Sequence, residues 1–195
     1  TTEIYTLSLH DALPISIAIA LIGTIIGALL SAKPADKYGR KRALLFIALL
    51  YGISALGSAL AINWIDFLIY RLMGGLAVGA SSVIGPMYIA EIAPPKIRGR
   101  LAASFQFNIV IGQVISYISN YFIAQLFEVN AWRWMLGVEF FPALLFFFLL
   151  FLIPDSPRWL VLKNKNAKAE LILKKLNSAN PAKELSEIVE SVKDF

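Results

Sequence analysis

Apolar residues fall along this chain in long unbroken runs rather than in alternation. Five runs, over about residues 16–32, 43–62, 67–92, 101–127 and 135–153, are separated by short polar segments. A helix needs about 20 apolar residues to cross the hydrocarbon core of a bilayer. Four of the runs meet that need, and the first is shorter. Strands of a membrane barrel would instead alternate apolar and polar side chains. The pattern predicts an all-α polytopic membrane protein. Past residue 153 the period changes. "SPRWLVLKN", "NAKAELILKKLN" and "PAKELSEIVESVKDF" are charged, with apolar positions spaced as on helices that have one water-facing side. Pro157 and Pro181 suit the first turns of two such helices, with Ser156 and Asn180 as their N-caps.

Charge gives the runs a direction. The formal net charge is +5, which could point to nucleic acid, but its distribution argues otherwise. Lys33, Lys37, Arg40, Lys41 and Arg42 lie between the first two runs, and Lys96, Arg98 and Arg100 lie between the third and fourth. Eight more basic residues follow position 153. The loop at 63–66 has none, and the loop at 128–134 has only Arg133. Such alternation is the positive-inside pattern. It places the basic loops and the C-terminal segment in the cytoplasm and the runs in the lipid of the plasma membrane, with no nucleic-acid partner. There is no cysteine and one histidine, His10. Disulfides, thiolate metal sites and cysteine nucleophiles are excluded. No P-loop or nucleophile elbow occurs, and an enzyme is not expected.

The opening "TTEIYTLSLHDALPIS" fits neither pattern. It lacks the charged start and apolar stretch of a signal peptide. Reverse-translated, residues 1–15 read without a gap as one frame of the universal flow-cell adapter used in short-read sequencing libraries. They are read as an adapter artefact, His10 included. If the basic loops face inward, the first run must cross from outside to inside, so a further helix is expected upstream. The expected organisation is residues 1–15 artefact, 16–153 a transmembrane bundle, and 154–195 the start of a cytoplasmic helical domain.

Charged side chains within a span cost several kcal/mol unless paired or hydrated, so each is a functional candidate. Arg71 and Glu139 lie about five and six residues into their helices from the non-basic end, roughly 8–9 Å deep at 1.5 Å per residue. Matching depth and opposite charge predict that they face each other or a shared cavity. A structural ion pair, or an arginine snorkelling to the interface, is the alternative. Gln106, Gln113 and Asn120 recur every seven residues and so lie along one face. Such a line of amides suits a hydroxyl-rich ligand, or else ties helices together through interhelical hydrogen bonds; the residues alone do not separate the two. Gly75 and Gly79 have the four-residue spacing of close helix packing. Whether Gly85–Pro86 breaks its helix is left open by the sequence.

"ADKYGRKRALL", "YRLMGGLAVGASSVIGPMYIAEIAPPKIRGRL" and "PDSPRWL" resemble signatures of the sugar porter family of the major facilitator superfamily, above all its bacterial proton symporters. The resemblance implies a twelve-helix fold in two halves with the substrate between them. This chain would be a truncated first half, helices two to six, with part of the helices that link the halves. It implies alternating-access transport of a monosaccharide, a pentose or hexose, by proton symport; a proton-independent uniporter or a transporter-like sugar sensor are the rivals. Gln106 and Gln113 fall on sugar-contacting glutamines, and Asn120 extends their line. Arg71 falls on the arginine that partners an acid of the first helix, and Glu139 on an acid of the same outer network. Asp36, Arg40, Lys41, Glu91, Arg98 and Asp155 fall on charged cytoplasmic positions that form gating salt bridges. Ala32 departs from the usual glycine at the start of the loop signature, where only local packing should change. The implied protein needs no cofactor beyond the coupling proton and is monomeric when full length. The 195-residue chain by itself is not expected to transport.

Overall fold

The computed structural model of the 195-residue chain describes residues 9–94, 97–127, 129–176 and 180–193. Residues 1–8 of the adapter-like opening, Lys96 of the second basic loop and Glu128 lie outside them. The described residues form ten helices and no strand. Helix α1 spans Leu9–Leu30 and α2 spans Ala32–Tyr38. They meet at a 46° bend, where the Ser31 hydroxyl donates to the Ala28 carbonyl at 2.9 Å. Such back-bonding bends helices. Then follow α3 (Arg40–Leu60), α4 (Trp64–Ile92) and α5 (Arg98–Leu126). Next are α6 (Ala131–Gly137) and α7 (Phe140–Leu152). Four spans are long and apolar enough to cross a membrane, with α6 and α7 together counted as one, and the bent α1–α2 pair makes a fifth.

Helix α4 is the centre of the bundle, packed on α1, α3 and α5. Its seam with α1 is built from glycine on both sides. A methyl group on Gly75 or Gly79 would overlap the backbone of Ala20 or Thr24, and one on Gly23 or Gly27 would overlap that of Leu72 or Leu76. The expected packing role of Gly75 and Gly79 is therefore met by a matching pair at the same spacing on α1. Pro86 does not break α4, which runs unbroken from Trp64 to Ile92. Gly85 instead lets the Phe105 ring of α5 approach, lying 3.0 Å from where a Cβ would stand.

The last span departs from the sequence expectation by changing pitch inside the run. Between α6 and α7 the backbone bonds shorten to three-residue steps, Glu139 N to Leu136 O and Phe141 N to Val138 O. Pro142 explains this, because it has no N–H to offer the Val138 carbonyl four residues back. Arg133 closes the same region. Its guanidinium donates to the carbonyls of Ala59 and Ala61 at 2.9 and 2.8 Å, satisfying the free end of α3, and lies 4.6 Å from the Trp132 ring centroid. The lone basic residue of its loop thus has a structural task. Trp64, Phe67, Trp132, Phe127 and Trp134 stack or meet edge to face at this end, as aromatic side chains do at a membrane–water interface.

At the basic end, α8 (Pro157–Leu162), α9 (Asn166–Lys175) and α10 (Pro181–Lys193) form a separate cluster. Trp159, Leu160, Val161 and Ala169 are its core, covered by Ile172, Leu185, Ile188 and Val189. Both expected caps are present. Ser156 Oγ accepts from Trp159 N at 3.2 Å, and Asn180 Oδ1 accepts from Lys183 N at 3.2 Å.

Candidate functional site

Where α1, α3, α4 and the α6–α7 junction meet, they line a half-open cavity of about 320 Å³. On the α1 side its wall is apolar (Ile17, Ala20, Leu21) but for the Thr24 hydroxyl, and α3 adds the hydroxyls of Tyr51, Ser54 and Ser58. Two charges enter it, Arg71 from α4 and Glu139 from the tightened turn. The expected shared cavity is present. The two charges are nevertheless not an ion pair: among the described residues no contact within 4 Å joins them. Glu139 Oε2 instead accepts from the Tyr51 hydroxyl at 2.7 Å, while Arg71 Nε is buried with no partner among the described residues. Ser54 and Thr24 spend their protons on the backbone, donating to Tyr70 O at 2.6 Å and Ala20 O at 2.9 Å.

An arginine N–H without an acceptor in a low-dielectric setting costs a full desolvation penalty, more than a neutral donor's roughly 1–3 kcal/mol. The arrangement therefore favours an anion, a hydroxyl or water in the cavity. Sequence reading picked out Arg71 and Glu139 and missed Tyr51, Ser54 and Ser58. Their spacing of three and seven residues along α3 was the available signal.

The amides lie elsewhere. Gln106 and Gln113 are exposed on α5, Asn120 is half-buried, and none lines this cavity. Among the described residues, none of the three bonds to another helix. No residue of α5 is buried, so its long face is open along the edge of the bundle.

The charged residues at the basic end separate into three groups. Asp36, Arg40 and Glu91 form one cluster. Arg40, 6% exposed, reaches Asp36 Oδ1 at 2.9 Å and Glu91 Oε1 at 3.0 Å, and donates to Ala35 O at 3.1 Å. The Glu91 side chain is 8% exposed, and its Oε2 is buried without a partner among the described residues. Lys41 donates to the carbonyls of Phe151 and Ile153 at 3.1 and 2.7 Å, satisfying the end of α7. Arg98 makes only a long contact of 3.5 Å to Ala93 O, and Asp155 is half-buried without an ion pair among the described residues. Two sequence signatures meet here as well. The Trp159 indole donates to Asp36 O at 2.9 Å, and its ring lies against Gly39, whose φ of 95° favours glycine and where a Cβ would stand only 3.1 Å from the ring.

Comparison with known proteins completes the picture. The family model described as "Sugar (and other) transporter" matches residues 8–195. The chain is 40% identical over 188 residues to a glucose transport protein of Synechocystis sp., covering 91% of this chain and 40% of that protein. It is 41% identical over 190 residues to the D-xylose-proton symporter of Escherichia coli, covering 86% and 39%. Among solved structures, it superposes on the major facilitator proton:xylose symporter XylE bound to 6-bromo-6-deoxy-D-glucose with a TM-score of 0.90 at 38% identity, covering 97% of this chain and 46% of that one. A partially occluded inward-open structure of XylE from E. coli gives 0.89 at 37% identity, covering 96% and 51%. The chain thus spans about two-fifths of the length of these curated relatives.

Proposed function

The chain belongs to the sugar (and other) transporter family of the major facilitator superfamily, and from that membership we propose that it serves in proton-coupled transport of a monosaccharide. The observation that carries the coupling is the cavity in which Arg71 and Glu139 sit together without pairing. A half-buried arginine whose Nε is buried without a partner among the described residues favours a charged carboxylate brought close to it. An acid supplied by the rest of the transporter would thus change its hold on a proton as it approaches or leaves Arg71. Relatives named for glucose, galactose and xylose transport support a pentose or hexose as substrate. Gln106, Gln113 and Asn120 on the open face of α5 are its proposed ligands, contacting hydroxyls while the sugar passes chemically unchanged.

The basic loops and α8–α10 lie in the cytoplasm in this reading, as the distribution of lysine and arginine favours, and the protein is a monomer in plasma-membrane lipid. The Asp36–Arg40–Glu91 cluster, Lys41, Arg98 and Asp155 stand where the two halves part and meet during alternating access. The proton is the coupling ion, and no other cofactor is invoked.

The test is sugar uptake by the intact transporter under an imposed pH gradient. Arg71→Ala is expected to abolish uphill accumulation while sparing sugar exchange. Undiminished pH-driven accumulation in that variant overturns the role of Arg71. A wild type that exchanges sugar but never accumulates it is a uniporter.

A further inference from the structure

Glu139 has two possible partners in its cavity, and it is bonded to the uncharged one. The Tyr51 hydroxyl stands 2.7 Å from Oε2, while Arg71, lining the same space, has no bond to the acid. The other hydroxyls give no comparable anchor: those of Ser54 and Thr24 are committed to backbone carbonyls, and among the described residues Ser58, also in the wall, makes no bond to Glu139. Every element around the cavity can be accounted for. Helix α4 contributes Arg71, the α6–α7 junction contributes Glu139, α3 contributes Tyr51, and α1 contributes no charged side chain. The turn that carries Glu139 is held in place from both sides, by Arg133 on the carbonyl end of α3 and by Phe140 against Gly52. The backbone is thereby set, and the remaining freedom is the direction of the carboxylate.

We propose that Tyr51 is a positioning residue of the charged cavity, whose hydroxyl holds the Glu139 carboxylate against α3 and so keeps it from closing on Arg71. Arg71 then stays open to an acid from outside this chain. Tyr51 touches neither sugar nor proton path in this scheme; it acts through Glu139. For its transport consequence, though not for the hydrogen bond itself, the proposal rests on the proton-coupled reading.

The experiment compares Tyr51→Phe, Glu139→Gln and the double variant in the intact transporter. Phenylalanine keeps the ring and removes only the donor. Two readouts are taken: pH-driven accumulation with exchange measured alongside, and the infrared carboxyl band assigned to Glu139 by its loss in Glu139→Gln. Tyr51→Phe is expected to shift that band and to lower accumulation by about threefold or more with little change in exchange, and to add nothing once Glu139 is already Gln. An unshifted band, or equal extra losses in both backgrounds, overturns the positioning role. If wild type accumulates sugar and Tyr51→Phe does so equally well, the transport consequence of Tyr51 fails and the coupled reading survives. If wild type never accumulates sugar, the coupled reading fails and so does that consequence, while the infrared band still decides the hydrogen bond.

Discussion

Arg40 shows what a single residue can hold together. One guanidinium joins a carboxylate four residues away, a carboxylate 51 residues away and a backbone carbonyl, which its planar fork of donors permits and a lysine's point charge does not. Removing one partner of a buried pair typically costs about 3–5 kcal/mol, because the other charge is stranded. Arg40→Ala in the purified intact transporter should therefore lower the melting temperature clearly, with Arg40→Lys intermediate. A thermal-shift assay decides, and an Arg40→Ala protein as stable as wild type would refute the cluster's structural weight. The family resemblance marked Arg40, Asp36 and Glu91 as gating charges. The pairing with Asp36 was legible from i,i+4 spacing. The pairing with Glu91 was not, because it depends on how α3 crosses α4. Tyr51 was hidden for a similar reason: an aromatic residue within an apolar run carries no mark until the acid opposite it is known.

Helices are where the sequence was read most fully. Runs, caps and loop positions predicted the spans and the amphipathic helices after them, since burial in lipid and backbone satisfaction leave few options. The change of pitch at Glu139 was not foreseen, because the apolar run continues through it. Pro142, four residues after Val138, was the visible cause. The α1–α4 seam was half legible, through Gly75 and Gly79, and its counterpart at Gly23 and Gly27 went unread. Gly79→Val should disrupt this seam, since the obstructing atoms are the Thr24 backbone and cannot swing aside. Gly112, on the open side of α5, has nothing within 4 Å of where a Cβ would stand, so Gly112→Ala should leave the α1–α4 seam intact. The yield of monodisperse transporter in size-exclusion chromatography separates these outcomes. Equal yields for the two variants would count against the seam.

At the scale of the molecule, the bundle has one closed side and one open side. Helix α5 buries no residue and carries Gln106, Gln113 and Asn120, and the chain covers about two-fifths of its curated relatives. In the proposed reading the sugar site is one bank of a larger cleft, which is why the amides could be named from the sequence and yet do not line the cavity found among the described residues. Since the chain has no cysteine, a single Gln106→Cys can be followed within it. In an intact transporter otherwise free of reactive thiols, it should react with a water-soluble maleimide and be protected several-fold by saturating sugar. Labelling indifferent to sugar would move the site elsewhere.

The closed side matters for a different reason. A proton gradient survives only where no thread of water bridges the membrane outside the transport cycle. At Gly23, Gly27, Gly75 and Gly79 the α1 and α4 backbones approach so closely that a methyl group does not fit, and a water molecule, of similar size, does not fit at those points either. In the proton-coupled reading proposed above, those four contacts would insulate this side of the bundle.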